Sequence, residues 1–392
     1  MYASLMLFMG IAAMNSQANL LFGVFGLMVG VLLVCGVISR LMLVGLTVRR
    51  VLPDAAVVGA AVAVGYEFEN RKRFWPSLSI AVAELDGVEA FRKQPFAYLL
   101  HAAAKTSALV NVEITPKRRG VYQLGDYQVS TSFPFGFVKR AATRHQDDSL
   151  LVFPALARVD ERVLRLLRSA ETAGVTVRPR RGGEDELYGI KEYRTGENAR
   201  MIHWKRSART GQLVIREMTQ VSPPRVMLVV DTRLPDRLVR SHEAVERAIA
   251  VAASLASELI EKGLMVGVAA ATPGSAEAEY TMVMPNRGKR HRRDVLTALA
   301  RLPLNTNVEA RGVLEQVMRS VKAGTTPVLV TPHEVEQGLA EQARGSVVVL
   351  SSLSPQVRAW FTFPESADFA VSMPIDQQPD LEPAGPPAKA GR

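Results

Sequence analysis

The stretch GIKEYRTGENARMIHWKRSARTGQLVIREM, Gly189 to Met218, gathers arginines, lysines, a histidine, a tryptophan and several acids into thirty residues. Three chemistries fit such a mixture. For catalysis, His203 needs a partner acid, which Glu192 or Glu197 could supply, together with a nucleophile or a metal. No Walker A loop, H-E-x-x-H, G-x-S-x-G or cysteine pair accompanies it, so His203 is expected to be a hydrogen-bonded structural residue. For a nucleic-acid grip, Arg178 to Arg216 holds ten Lys or Arg against five acids, and Trp204 could stack on a base. The aromatics do not recur at base spacing, however, and the acids are interspersed. For a structural clamp, planar guanidinium groups pair with Glu192, Glu197 and backbone carbonyls while Trp204 fills a pocket. The clamp is the favoured reading. It predicts a short helix over Arg200 to Arg206 ending near Gly211, then a strand from Leu213 to Met218, the whole joining two modules.

The elements that position this stretch follow from composition and periodicity. The chain has 392 residues, 48% apolar and 22% charged, enough for two or three globular domains. A formal net charge of +10 favours anionic partners without choosing among lipid, nucleic acid and acidic protein. Cys35 is the only cysteine, which excludes a disulfide framework or a cysteine-built zinc site within one chain.

No charged residue precedes Arg40. Two apolar runs flank the polar knot Asn15 to Asn19. Leu20 to Ile38 has the length of a membrane-spanning helix, and Tyr2 to Met14 is short for one. A two-helix hairpin over 1–45 (about 1–17 and 20–40) is the leading expectation. A cleaved signal followed by one span, or a buried soluble hairpin, are its rivals. Arg40, Arg49 and Arg50 follow the second run, so the positive-inside rule places the C-terminal part in the cytoplasm.

From 46 to 155, short alternating stretches suggest an antiparallel β-sandwich: Ala55 to Val64, Leu78 to Leu85, Ala108 to Thr115, Tyr122 to Val129 and Ser149 to Phe153. Pro116 to Gly120 reads as a hairpin edge guarded by cations, and Phe133 to Phe137 as a packed corner. A connector over 156–223 holds a helix from Arg158 to Glu171 and the charged stretch. Over 224–365, apolar strands alternate with helices, the pattern of an α/β doubly wound sheet. The strands are Arg225 to Thr232, Leu264 to Ala271, an edge at Tyr280 to Met284, Pro327 to Thr331 and Ser346 to Ser351. The helices are His242 to Lys262, Arg292 to Arg301 and Val308 to Val321. Asp231, Thr306 and Thr331 fall at strand carboxyl ends, where such sheets bind ligands. Residues 373–392, rich in proline, read as a disordered tail.

The charged stretch closely resembles the signature of the domain-of-unknown-function 58 family (DUF58). Glu192, Tyr193, Gly196, Glu197, Arg200, Ile202, Trp204, Lys205, Ser207, Ala208, Arg209 and Gly211 match it in order. The segments ANLLFG, KRRGVYQLG and FPFGFVKR are similar to the family too, so the resemblance runs to about Ser351. It implies a bacterial inner-membrane protein with two helices, a sandwich and a von Willebrand factor A-like α/β domain. Such proteins are commonly found beside MoxR-type AAA+ ATPases and are thought to assist assembly or maturation of other proteins, with no enzymatic activity established. A metal-binding von Willebrand A domain carries Asp-x-Ser-x-Ser after its first strand, whereas Asp231-Thr232-Arg233-Leu234-Pro235 keeps only the acid.

The expectation is therefore a non-enzymatic, membrane-anchored adaptor that meets the bilayer through its N-terminal helices and docks a MoxR-type ATPase. It needs no cofactor and no metal. Its candidate partner-binding face comprises Asp231, Arg233, Thr306 and Thr331. An anionic-lipid or nucleic-acid binder is the alternative, and an uncharacterised hydrolase the third class.

Overall fold

In the computed structural model of the protein, the described residues are 2–16, 18–174, 181–194, 199–219, 224–234, 239–271, 280–304, 310–322, 324–334, 347–367 and 369. They form a multidomain chain of mixed sheets and helices that divides into two compact units: Met1–Leu156 with Phe363–Arg392, and Ala157–Thr362. Pro235, Thr306, Gly196, Glu197 and the expected disordered tail lie outside the described residues.

The first unit opens with α1 (Tyr2–Ser16) and α2 (Asn19–Leu43). A 25-residue helix is about 37 Å long, and α2 is long and apolar enough to cross a membrane. Tyr2 OH donates to Met28 O at 2.9 Å, and the Phe25 ring occupies the space a Cβ on Gly10 would need. The C-terminal carbonyls of α2 have no partners of their own within the helix. The sandwich supplies them: Lys72 Nζ donates to Leu41 O (2.9 Å) and Met42 O (3.1 Å), and Ser77 Oγ to Met42 O (2.8 Å). Burial lowers the pKa of the Lys72 ammonium.

Eight strands follow: β1 (Leu46–Val51), β2 (Ala56–Val57), β3 (Val62–Asn70), β4 (Ser77–Glu84), β5 (Phe96–Ala102), β6 (Thr106–Ile114), β7 (Gly120–Thr131) and β8 (Arg140–Phe153). They form a three-stranded sheet, β1-β3-β6, and a five-stranded sheet, β2-β8-β7-β4-β5. Alternating burial puts Val64, Tyr66 and Phe68 of β3 in the core with Ile80, Val82, Leu124, Val129 and Leu150. Residues 115–119 carry the chain from β6 in one sheet to β7 in the other, so the expected hairpin edge is a crossover. The Phe133 to Phe137 turn is not packed as expected either, since Phe135 is 64% and Phe137 44% exposed.

Arg50, expected to mark the cytoplasmic side, is instead 3% exposed. Its guanidinium donates to Glu84 Oε2 (2.5 Å), Asp148 Oδ2 (2.9 Å), Leu124 O (2.5 Å) and Gln146 O (2.6 Å). Tyr66 OH donates to the other Glu84 oxygen at 2.6 Å. Burial pushes the Glu84 carboxyl above its ordinary value, against the pull of Tyr66 and Arg50. The same burial, reinforced by Glu84, pushes the Tyr66 phenol far up. Such a network is tolerable only because nearly every donor and acceptor in it is matched.

The second unit opens with β9 (Arg158–Val159), α3 (Glu161–Gly174) and β10 (Arg181–Glu192), then α4 (Trp204–Thr210) and β11 (Val214–Thr219). β10 and β11 form an antiparallel ribbon. The sheet beyond it runs β14-β13-β12-β15-β16, built from β12 (Arg225–Val230), β13 (Met265–Ala271), β14 (Tyr280–Asn286), β15 (Thr325–Thr331) and β16 (Val348–Ser351). All pairings are parallel except the edge β14. Its helices are α5 (Val239–Glu261), α6 (Lys289–Ala300) and α7 (Ala310–Ser320). Met227 and Val229 of β12 meet Val313 and Val317 of α7 on one face. α5 buries a helical stripe of Val245, Ile249, Ala252, Leu255 and Leu259. It is tied to α6 by Arg292, which donates to Ser257 Oγ at 2.6 Å and pairs with Glu261 at 2.7 Å. The unit closes on β17 (Phe361–Thr362), antiparallel to β9, with Phe361 opposite Val159. The following residues belong to the sandwich unit, where the Ser366 carbonyl accepts from Arg92 at 2.8 Å and its hydroxyl donates to Gly59 O.

Candidate functional site at the sheet switch point

β12 is the central strand. The chain runs from it to β13 on one side and returns to β15 on the other, so the sheet order reverses between β12 and β15. At such a reversal the connections depart in opposite directions and open a crevice beyond the strand carboxyl ends. Val230 lies opposite Val330 there, and Asp231 N donates to Val330 O at 2.8 Å. That register brings the residues after each strand together.

Asp231 is 5% exposed and both its oxygens are engaged. Oδ1 accepts from Arg233 N at 3.0 Å, and Oδ2 accepts from Thr331 Oγ1 at 2.9 Å. Thr331 Oγ1 accepts in turn from His333 N at 3.2 Å. Arg233 Nε donates to His333 Nε2 at 3.3 Å, which assigns the histidine proton to Nδ1. His333 Nε2 also lies 3.6 Å from Asp231 Oδ2. Burial, with Arg233 adding to it, outweighs Asp231 and lowers the His333 pKa, so the ring is neutral at pH 7. Ser351 Oγ donates to His333 O at 2.6 Å and fixes that loop to β16. Thr232 Oγ1 is buried with no hydrogen-bond partner among the described residues.

This donor set does not fit a divalent cation. A hard ion needs several free oxygens. Here the one carboxylate is already shared between a hydroxyl and an amide, and Arg233 brings a fixed positive charge to the same spot. Of the face expected from sequence, Asp231, Arg233 and Thr331 come together. His333, Thr232 and Ser351 are the members that periodicity gave no reason to select.

The charged stretch lies in the α/β unit and is organised differently from the expected clamp. Ser207, 7% exposed, is its pin: Oγ donates to His203 O at 3.2 Å and accepts from Val214 N at 3.0 Å. Tyr193 N donates to Leu213 O (2.8 Å), His203 N donates to Val214 O (2.9 Å), and Ile202 bridges to Ile215. Gly211, at φ 71, ends α4 in the left-handed conformation that glycine adopts without strain. Trp204 does not fill a pocket; it is 65% exposed, with Lys205, Arg206 and Arg209 exposed beside it. The reason is geometric: a seven-residue helix has one buried face, and Ser207 occupies it. Arg200 and Glu192 are exposed as well. His203 Nδ1 is buried without a hydrogen-bond partner among the described residues, so the expected side-chain hydrogen bond is not seen there. Trp204→Ala should therefore shift stability by no more than about 0.5 kcal/mol. A large fall in melting temperature would show that the ring is covered.

The fold and the site together define a chain with an N-terminal apolar helix long enough for a membrane, a sandwich unit, and an α/β unit with a polar cluster at its switch point. Residues 189–348 match the family described as "Protein of unknown function DUF58". An uncharacterized protein, YeaD, of Bacillus subtilis (strain 168) is 22% identical over 235 residues, 59% of this chain and 56% of that protein. The match thus spans little more than half the relative's length. Among solved structures, a GH20 exo β-N-acetylglucosaminidase from Vibrio harveyi, in complex with N-acetylglucosamine, aligns at 9% identity and a TM-score of 0.15. The alignment covers 56% of this chain and 46% of that one and carries no argument about fold or chemistry.

Proposed function

We propose that the protein is a non-enzymatic adaptor, anchored in the bacterial inner membrane by its two N-terminal helices and holding its larger units in the cytoplasm. In this reading the second unit is a von Willebrand A-like domain that docks a MoxR-type AAA+ ATPase without a metal ion, in the service of protein maturation or envelope-related assembly. The observation that carries it is the closed hydrogen bonding of Asp231. A carboxylate already bound by Thr331 and Arg233 is a poor base or metal ligand, but it holds Arg233 and His333 in fixed positions for a partner. The strand order with one antiparallel edge supports the domain assignment.

The test is recovery of the ATPase with the full chain in detergent. Arg233→Glu should lower recovery roughly tenfold or more, because a reversed charge opposes the partner's complementary surface. Equal recovery would remove the switch point as the docking face. Failure of the unaltered chain to recover any ATPase would remove the partnership itself.

The site also predicts a pH dependence. The His333 pKa is lowered from 6.5 in the folded protein, so the unfolded chain takes up the proton first as pH falls. Stability from this residue is present above about pH 6.5 and is lost as pH falls towards the folded pKa. Hydrogen exchange at the ends of β12 and β15 should accelerate over that window, and His333→Gln should remove the slope. An identical slope in that variant would refute the assignment.

A further inference from the structure

We infer that two loops of the sandwich unit form a collar that seats in the headgroup layer of an anionic bilayer around the end of α2. This rests on the reading that α2 spans a membrane. The first loop, residues 71–76 between β3 and β4, reads Arg-Lys-Arg-Phe-Trp-Pro. It is fixed to α2 where the helix ends, since Lys72 caps Leu41 and Met42. The second, residues 132–139 between β7 and β8, is fixed one turn earlier, where Ser39 Oγ donates to Phe133 O at 2.8 Å. It also reaches α1, whose Tyr2 ring stacks on Phe137 at 4.0 Å.

Both loops present large aromatic rings outward beside cations. Phe74 is 75%, Trp75 66% and Phe135 64% exposed. Arg73 lies over the Phe74 ring at 5.1 Å, and Lys139 and Arg140 follow the second turn. Neither loop can fold its rings away, because each is internally braced. Asn70 Nδ2 donates to Trp75 O (3.1 Å), Lys72 N donates to Asn70 Oδ1 (3.2 Å), and Gly136 N donates to Ser132 O (2.8 Å). Rings held open in water are costly, whereas at the boundary between headgroups and acyl chains their apolar bodies are covered. Basic side chains at the same depth meet the negative surface potential of anionic lipid. Two separately braced loops of this composition at one end of one apolar helix place the occupant as the bilayer that the helix enters.

The experiment uses the full chain in nanodiscs, with Trp204→Phe and Trp360→Phe leaving Trp75 as the reporter and lipids brominated near the headgroup as quenchers. A parallel sample carries Leu27→Cys in a Cys35→Ala background, labelled with a nitroxide to report the depth of α2. Trp75 should be quenched, roughly twofold more in phosphatidylglycerol discs than in phosphatidylcholine discs. A lipid-buried Leu27 label with Trp75 unquenched overturns the collar and leaves the anchor standing. A blue-shifted but unquenched Trp75, as contact with a second copy of the chain would give, overturns it equally. A water-exposed Leu27 label overturns the anchor, and the collar with it. A nitroxide at Phe135→Cys, in the Cys35→Ala background and read by oxygen accessibility, checks the second loop if the tryptophan variants fold poorly.

Discussion

Replacing Arg50 with methionine is expected to destabilise the sandwich unit by about 3–5 kcal/mol, the cost of leaving a buried charge without its partner. The cation is 3% exposed and holds Glu84, 1% exposed, at 2.5 Å. Without it, Glu84 keeps only the Tyr66 hydroxyl, and the carbonyls of Leu124 and Gln146 lose the donors that reached them from Arg50. The variant carboxyl then titrates higher still, because burial already raises it and the countering charge is gone. Adding Glu84→Gln should recover part of the loss, since a neutral amide costs less to bury than an unpaired carboxylate. Urea unfolding of the parent and the two variants measures both quantities. A single variant within 1 kcal/mol of the parent would mean that water reaches the network.

The second large effect concerns the middle of the α/β sheet. Met227→Ala should cost about 2–5 kcal/mol, since the side chain is fully buried and packs into the cluster with Val313 and Val317 of α7. Opposite it, Gly267 pairs with Met227 across β12 and β13. A Cβ there would lie 2.6 Å from Met227 Sδ, 2.7 Å from Val283 O and 2.9 Å from Pro285 Cδ. Gly267→Ala alone should then cost about 1–3 kcal/mol by overpacking. The double variant should lose less than the sum, because removing the methionine vacates one of the three colliding positions. The contacts with Val283 and Pro285 keep the recovery incomplete. Additive losses would show that the sheet spreads to accept the methyl group.

Those two cases mark how far the sequence could be read. The α/β strands were legible because a strand covered on both faces is almost wholly apolar, and Arg225 to Thr232 and Leu264 to Ala271 are near-continuous runs of that kind, the first ending in an acid. The apolar helix α2 was legible for a similar reason, its charge-free length. Arg50 was not, because a cation after an apolar run looks the same whether it faces lipid headgroups or finds Glu84 and Asp148 far along the chain. Pro116 to Gly120 misled as a hairpin because local turn chemistry does not say whether the next strand joins the same sheet. β10, with three glycines and four acids, has no period to detect. At the candidate site, Asp231 and Thr331 were placed by the strand-end rule, whereas His333 joins them only through the parallel register of β12 and β15. Trp204 drew attention by its type, and type alone does not tell which side of a two-turn helix is covered.

The pairing of Val159 with Phe361 has a practical corollary. Strands joined in this way bring both ends of the intervening polypeptide to within a few ångströms of each other, about 5 Å between α-carbons. Residues 157–362 can accordingly be excised and produced alone with their own built-in clasp, and a short glycine bridge from 156 to 363 would reseal what remains. The α/β piece would then be open to calorimetry or crystallisation without the detergent that the piece holding α2 needs.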